Sequence, residues 1–201
     1  MNVGVLGGTF DPIHNGHISV AEECQIQLSL TGVIFVPAGR PWLKGDKPVL
    51  AAEHRVQMVE LVIATHPGFI LSTIEVERDG PSYTMETIAE LQKQQNQEDE
   101  LFFIIGWDTL AQLPQWKQPS RLIEMCHLVA VPRPGYTLPE LDSLEAVIPG
   151  LTRRLIILQR PEVDISATDI RDRVARGLSI DHLVPEPVAD YIRQHRLYVN
   201  R

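Results

Sequence analysis

Residues 7–17, GGTFDPIHNGH, gather two glycines, a carboxylate and two histidines near the start of the chain. Three kinds of chemistry fit such a cluster: a metal site, a phosphate cradle, or a plain turn carrying stray histidines. A glycine pair directly after a strand lets backbone N–H groups approach a ligand closely, and the start of a following helix adds partial positive charge. His14 and His17 stand at i and i+3, so the first turn of a helix sets both rings on one side, with Gly16 leaving the backbone between them bare. Imidazoles so placed donate hydrogen bonds to phosphate oxygens at neutral pH. A metal site needs further ligands, and no third histidine or cysteine lies close in sequence, which favours phosphate.

A second cluster, ISATDIR at 165–171, carries two hydroxyls and a guanidinium. Ser166 and Thr168 are N-cap candidates for a helix expected from about 169 to 176, and hydroxyls, a helix terminus and Arg171 together suit the outer phosphates of a nucleoside triphosphate. Standing alone it is a capping sequence; paired with the first cluster it completes a phosphate site. Between the two lie DGPSYTMET (79–87), IIGWDTLAQLPQW (104–116) and RPGY (133–136). Taken singly, Trp116 is a packing residue, Asp108 a helix cap after LFFII, and Arg133 a solvated loop charge.

The elements that must position these residues follow from the apolar pattern. Short runs rich in Val, Ile and Phe recur at 2–7, 32–37, 69–73, 101–105, 127–132 and 154–158. Several lack in/out alternation, as strands covered on both faces do. Helix-period segments alternate with them: Val20, Ala21, Cys24 and Leu28 share one face, Met85, Ile88 and Leu91 another, and further helices are expected over 52–64 and 185–195. The last, PEPVADYIRQH, turns Val188, Tyr191 and Ile192 inward. The pattern predicts a doubly wound α/β fold with a mostly parallel sheet, a single domain over 1–201 with a helical C-terminal portion from about 167. In such sheets ligands bind beyond the carboxyl ends of the strands, where the opening motif sits.

Composition narrows the classes of function. With 44% hydrophobic and 22% charged residues, the 201-residue chain has the make-up of a folded domain. A formal net charge of -8 argues against nucleic acid and anionic membrane surfaces as partners, since both need a broad basic face. The first residues lack a secretory pattern and no apolar run approaches a membrane span, so a cytoplasmic location is expected. Cys24 and Cys126, without CxxC spacing, are expected to be reduced structural thiols.

GGTFDPIHNGH strongly resembles the (H/T)xGH signature of the nucleotidyltransferase superfamily, and ISATDIR its downstream partner motif. The three intervening segments resemble those of the bacterial nicotinate-nucleotide adenylyltransferases, and the likeness runs over nearly the whole chain. That resemblance implies a Rossmann-like fold and transfer of AMP from ATP to nicotinate mononucleotide, giving deamido-NAD and pyrophosphate. It implies catalytic roles for His14, His17, Lys44 and Arg171. It puts ATP against Gly7, Gly8, Thr9, Phe10, Gly16, His17, Gly106, Asp108, Ser166, Thr168 and Arg171. The mononucleotide falls to Thr84, Trp116 and Arg133, an aromatic face and a hydroxyl suiting a flat acid. Mg²⁺ is expected mainly on the ATP phosphates, with no residue marked as a metal ligand. One stretch departs from the family: RPWLKG (40–45) stands where a PPHK or PPHR segment is common, so Lys44 lacks the neighbouring histidine. Trp107, where a smaller or polar residue is common, packs either against adenine or against the protein. Sequence leaves open nicotinamide mononucleotide as substrate and a homo-oligomeric state, whereas Trp116 and DGPSYT argue against a different phosphate acceptor such as phosphopantetheine, and the intact histidines and ISATDIR argue against a nucleotide-binding sensor without turnover.

Overall fold

The computed structural model describes residues 1–41, 49–96 and 98–199. Six strands form one sheet: β1 (Asn2–Gly8), β2 (Gly32–Pro37), β3 (Phe69–Leu71), β4 (Glu100–Gly106), β5 (His127–Val131) and β6 (Leu155–Ile157). All neighbouring pairs are parallel, in the order β3-β2-β1-β4-β5-β6. The order reverses between β1 and β4, which opens a crevice at their carboxyl ends. Every strand foreseen from an apolar run is present.

The reason those runs are continuous is visible in where alternate side chains go. Leu6, Val33, Phe35, Phe102, Ile104, Val129 and Val131 face one core, and Val3, Val5, Ile34, Val36, Leu101, Phe103, Ile105, Leu128 and Ala130 face the other. A pleated strand sends successive side chains to opposite faces, so a strand covered twice has no polar face to display.

The first core is closed by α1 (Asn15–Gln27), α2 (Ala52–Ile63), α9 (Ala167–Ala175) and α10 (Glu186–Gln194). The second is closed by α4 (Thr84–Gln94), α6 (Pro119–Met125), α7 (Leu141–Val147) and α8 (Leu151–Arg154). The short helices α3 (Ile74–Glu77) and α5 (Trp107–Ala111) sit at the carboxyl ends of β3 and β4. Val188 and Ile192 of α10 are buried as expected, while Tyr191 is half-buried and its hydroxyl bonds His54 Nδ1 at 2.9 Å. Cys24 and Cys126 are free and buried, and burial pushes both thiols up to about 12, so they stay protonated. No helix among the described residues is long and apolar enough to cross a membrane.

One close approach locks the loop after β2 onto α3. A Cβ added at Gly39 would overlap the backbone carbonyl oxygen of Glu75 in α3. Gly39→Ala must therefore separate the loop from α3, and it should destabilise the protein by about 1–3 kcal/mol, the usual cost of an overpacked site. Denaturant unfolding measures this; an unchanged midpoint would show that the contact yields freely.

Candidate active site

The crevice between β1 and β4 widens into a cleft of about 570 Å³, within the range of sites that enclose a small molecule. Its floor is the β1 end and the loop that follows, Gly7 to Asp11. One wall is α1's first turn with Ser166, Thr168 and Arg171; the other carries Thr84, Gly106, Asp108, Trp116 and Arg133. Every residue given a catalytic or binding role from sequence lines this cleft except Lys44, which lies outside the described residues.

His14 is the N-cap of α1 and His17 its third residue. Their rings stack with centroids 3.7 Å apart and planes 22° off parallel. The His14 backbone N–H donates to His17 Nδ1 at 3.3 Å, which leaves the proton of a neutral His17 ring on Nε2. Phe10 meets the His17 ring edge-on at 5.0 Å. Gly16 leaves room for this ring: a Cβ at that position would stand 3.0 Å from His14 Nδ1 and press on it. His14 is 6% exposed, and its Nδ1 has no hydrogen-bond partner among the described residues. Burial, with the nearby Arg133 charge, lowers its pKa to about 4. The ring is therefore neutral at pH 7, and the pair stacks without two like charges in contact.

The second motif folds with its helix starting earlier than its pattern indicated. α9 begins at Ala167, not near 169, and Ser166 alone is the N-cap, its Oγ accepting from Asp169 N–H at 3.1 Å. Thr168 is not a cap; its hydroxyl accepts from Arg171 Nη2 at 3.2 Å. Arg171 then reaches across 160 positions of sequence and donates from Nη1 to the Asp11 carbonyl at 2.7 Å. That bond brings the two signatures together.

Asp108 is not a cap either. Gly106 holds that position on α5, and Asp108 Oδ2 lies 3.5 Å from Arg133 Nη1, so Arg133 is paired across the β4 and β5 ends. The resemblance had put these two on different substrates; the fold sets them side by side. Trp116 is half-buried, its ring edge to Phe103 at 6.1 Å, and its Nε1 has no partner among the described residues. Trp107 packs against the second core and does not line the cleft.

Sequence reasoning missed the support behind the glycine loop. Asp11 is 4% exposed; its carboxylate accepts from Tyr198 Oη at 2.8 Å and from Leu50 N–H at 3.4 Å. Arg55, 1% exposed, donates from Nη1 to the Thr9 carbonyl at 2.7 Å and from Nε to the Leu50 carbonyl at 2.9 Å. Burial works against the Arg55 charge, and Asp11 is the strongest group opposing that loss. A signal for Arg55 existed: with Met58, Val59 and Val62 it stands at i, i+3, i+4 and i+7, a cation on a core-facing stripe. Asp11 was quoted within its motif but given no task, and Tyr198 lies beyond the last helix with no pattern of its own.

Comparison with known proteins gives a consistent result. A family model described as cytidylyltransferase-like matches residues 5–173. A protein of Dehalococcoides mccartyi named "Probable nicotinate-nucleotide adenylyltransferase" is 46% identical over 201 residues, covering 100% of this chain and 98% of that protein. A Roseiflexus protein of the same name is 44% identical over 196 residues, covering 98% and 97%. Among solved structures, Plasmodium falciparum nicotinic acid mononucleotide adenylyltransferase complexed with NaAD superposes with a TM-score of 0.80 at 18% identity, over 98% of this chain and 97% of that one. The chain belongs to the cytidylyltransferase-like family and, within it, to the nicotinate-nucleotide adenylyltransferases.

Proposed function

We propose that this enzyme transfers AMP from ATP to nicotinate mononucleotide, releasing pyrophosphate and forming deamido-NAD. The observation that carries the reading is the Arg171 to Asp11 bond, which puts the histidine pair and the ISATDIR motif on one cleft. A phosphate oxygen of the mononucleotide attacks the α-phosphorus of ATP, and the bond from that phosphorus to the bridging oxygen of pyrophosphate breaks. The nucleophile belongs to the substrate, so no covalent enzyme intermediate is required. The protein's task is to bring two anions into line and to stabilise charge on the α-phosphoryl group and the leaving pyrophosphate.

His17 suits that task because its Nδ1 accepts from the His14 backbone N–H, which puts the proton of a neutral ring on Nε2, the donor assigned to phosphate. His14 serves as a neutral partner, whose unsatisfied ring nitrogen a phosphate oxygen can complete. Arg171 and the N–H groups of Gly7 to Phe10 meet the outer phosphates, with the Ser166-capped start of α9 beside them. Lys44 is assigned to the same charge by resemblance. Gly106 and Asp108 hold the adenosine, and Trp116, Thr84 and Arg133 the mononucleotide.

Among the described residues no three or more His, Cys, Asp or Glu converge as a metal cage. Asp108 Oδ2 pairs with Arg133 and Asp11 accepts from Tyr198, while Asp108 Oδ1 has no partner among the described residues. Mg²⁺ enters as part of the MgATP substrate, where it neutralises phosphate charge. A cytoplasmic location accords with this chemistry, since ATP is the donor.

Pyrophosphate release with ATP and either mononucleotide tests the assignment. Nicotinate mononucleotide should give the higher kcat/KM, and a preference for nicotinamide mononucleotide would reverse the ring assignment. Binding of both nucleotides without pyrophosphate release would make the protein a sensor. His17→Ala should lower kcat by about 10²-fold or more, the scale for losing a preorganised donor to developing charge, with unfolding midpoint unchanged; wild-type turnover would remove it from the phosphate site. Trp116→Ala should mainly raise KM for the mononucleotide, and an unaltered KM would take it off the ring.

Neutral His14 also has a pH consequence. Its folded pKa, about 4, is below the unfolded value near 6.5, so the unfolded chain binds the extra proton first. Stability is full above the unfolded value and falls as pH drops from about 6.5 towards 4. A His14→Gln variant should lose part of that acid slope in denaturant unfolding; an identical slope would mean that His14 titrates normally.

A further inference from the structure

A carboxylate that none of the roles above employs stands in the wall of the cleft. Glu75, from α3, lines the cavity at 8% exposure, and with it stand Ser82 at 9% and Thr87 at 1%. The Thr87 hydroxyl donates to Glu75 Oε1 at 2.6 Å and accepts from Arg78 Nη2 at 2.9 Å. The Ser82 hydroxyl helps to hold the Glu75 carboxylate ionised and accepts from the Arg40 backbone N–H at 3.1 Å. Ser82 N–H donates in turn to the Arg40 carbonyl at 3.0 Å. Arg78 is held from outside by Glu90 at 3.2 Å.

The Thr87 hydroxyl thus gives its proton to Glu75 and a lone pair to Arg78, and the Ser82 hydroxyl gives a lone pair to the Arg40 backbone. The cluster is a buried polar network in the wall of the cleft. It ties three segments at one carboxylate: the loop around Gly39 and Arg40, α3, and the turn that leads through Tyr83 into Thr84, the first residue of α4. A buried polar network fixes one arrangement of the elements it joins.

We propose that Glu75 is a positioning residue for substrate selection: through Ser82 and Thr87 it sets where Thr84 and the first turn of α4 meet the pyridine ring of the mononucleotide. This rests on the assignment of Thr84 to that ring. The network lies on the α3 and α4 side, apart from the histidine pair and Arg171, so it governs binding of one substrate and not transfer. Burial raises the Glu75 pKa, and the two hydroxyls and the Arg78 charge oppose that rise.

The test is steady-state kinetics with each substrate varied in turn, on the full chain and the variants Thr87→Val, Thr87→Ser and Glu75→Gln. Val keeps the shape of Thr without its hydroxyl, Ser keeps the hydroxyl, and Gln replaces the carboxylate that accepts from Thr87 with an amide carrying an N–H₂ donor. KM for the mononucleotide should rise about tenfold in T87V and E75Q, as for a displaced binding group. KM for ATP and kcat should stay within about twofold, and T87S should be close to wild type by the same reasoning. Mononucleotide KM unchanged in both variants, or both substrates' KM rising together, overturns the proposal. If T87V does not fold, E75Q decides; if neither folds, the cluster is structural and the proposal fails. Wild-type protein that turns over neither mononucleotide would overturn the ring assignment itself, and Glu75's role with it. A normal wild type with unaffected variants overturns Glu75 alone.

Discussion

One guanidinium joins the two halves of the site. Arg171 donates to the carbonyl of Asp11, and everything else in the phosphate region is arranged so that this bond can form. The sheet order brings β1 and β4 together as neighbours and opens the crevice. α9 packs Ile170 into the first core so that Arg171, one residue on, projects towards β1's loop. Asp11 is held from behind by Tyr198, and the carbonyl of Thr9 by Arg55. A loop of small residues aimed at an anion has little side-chain packing of its own, so its shape must be imposed from outside. Here a buried cation, a buried carboxylate and a phenol supply that shape.

The electrostatics of the molecule point the same way. The chain carries a formal charge of -8, yet its cleft presents Arg171, Arg133 and two imidazoles. Attraction for nucleotide anions is therefore local, which suits small polyanions that must be enclosed. Keeping His14 neutral matters in this setting. Two imidazolium rings stacked at 3.7 Å would repel, and a neutral His14 removes that repulsion from the pair.

Most of the architecture was legible in the sequence because burial on two faces leaves an unbroken apolar run, and all six such runs became strands. The two phosphate motifs were legible because glycine, histidine and capping residues keep fixed offsets around a strand end and a helix start. What escaped depends on contacts between distant segments. Arg55 stood in an otherwise apolar helical stripe and could have been noticed as an anomaly. Glu75 sits in a four-residue helix, too short for any period to expose its direction. Tyr198 closes onto Asp11 from 187 positions away, and no local pattern records that. The start of α9 was placed two residues late because Ser166 and Thr168 are equally good caps by type, and only geometry separates them. Asp108 and Arg133 were read apart because the adjacency of β4 and β5 brings them together, not their spacing.

The most direct measurement is a crystal structure of this chain with deamido-NAD bound. The account predicts the pyrophosphate bridge of the dinucleotide within hydrogen-bond reach of His17 Nε2 and of the glycine loop, with Arg171 still on the Asp11 carbonyl and the pyridine ring against Trp116. A dinucleotide whose phosphates lie outside the reach of both histidines, or whose binding draws Arg171 away from Asp11, would contradict it.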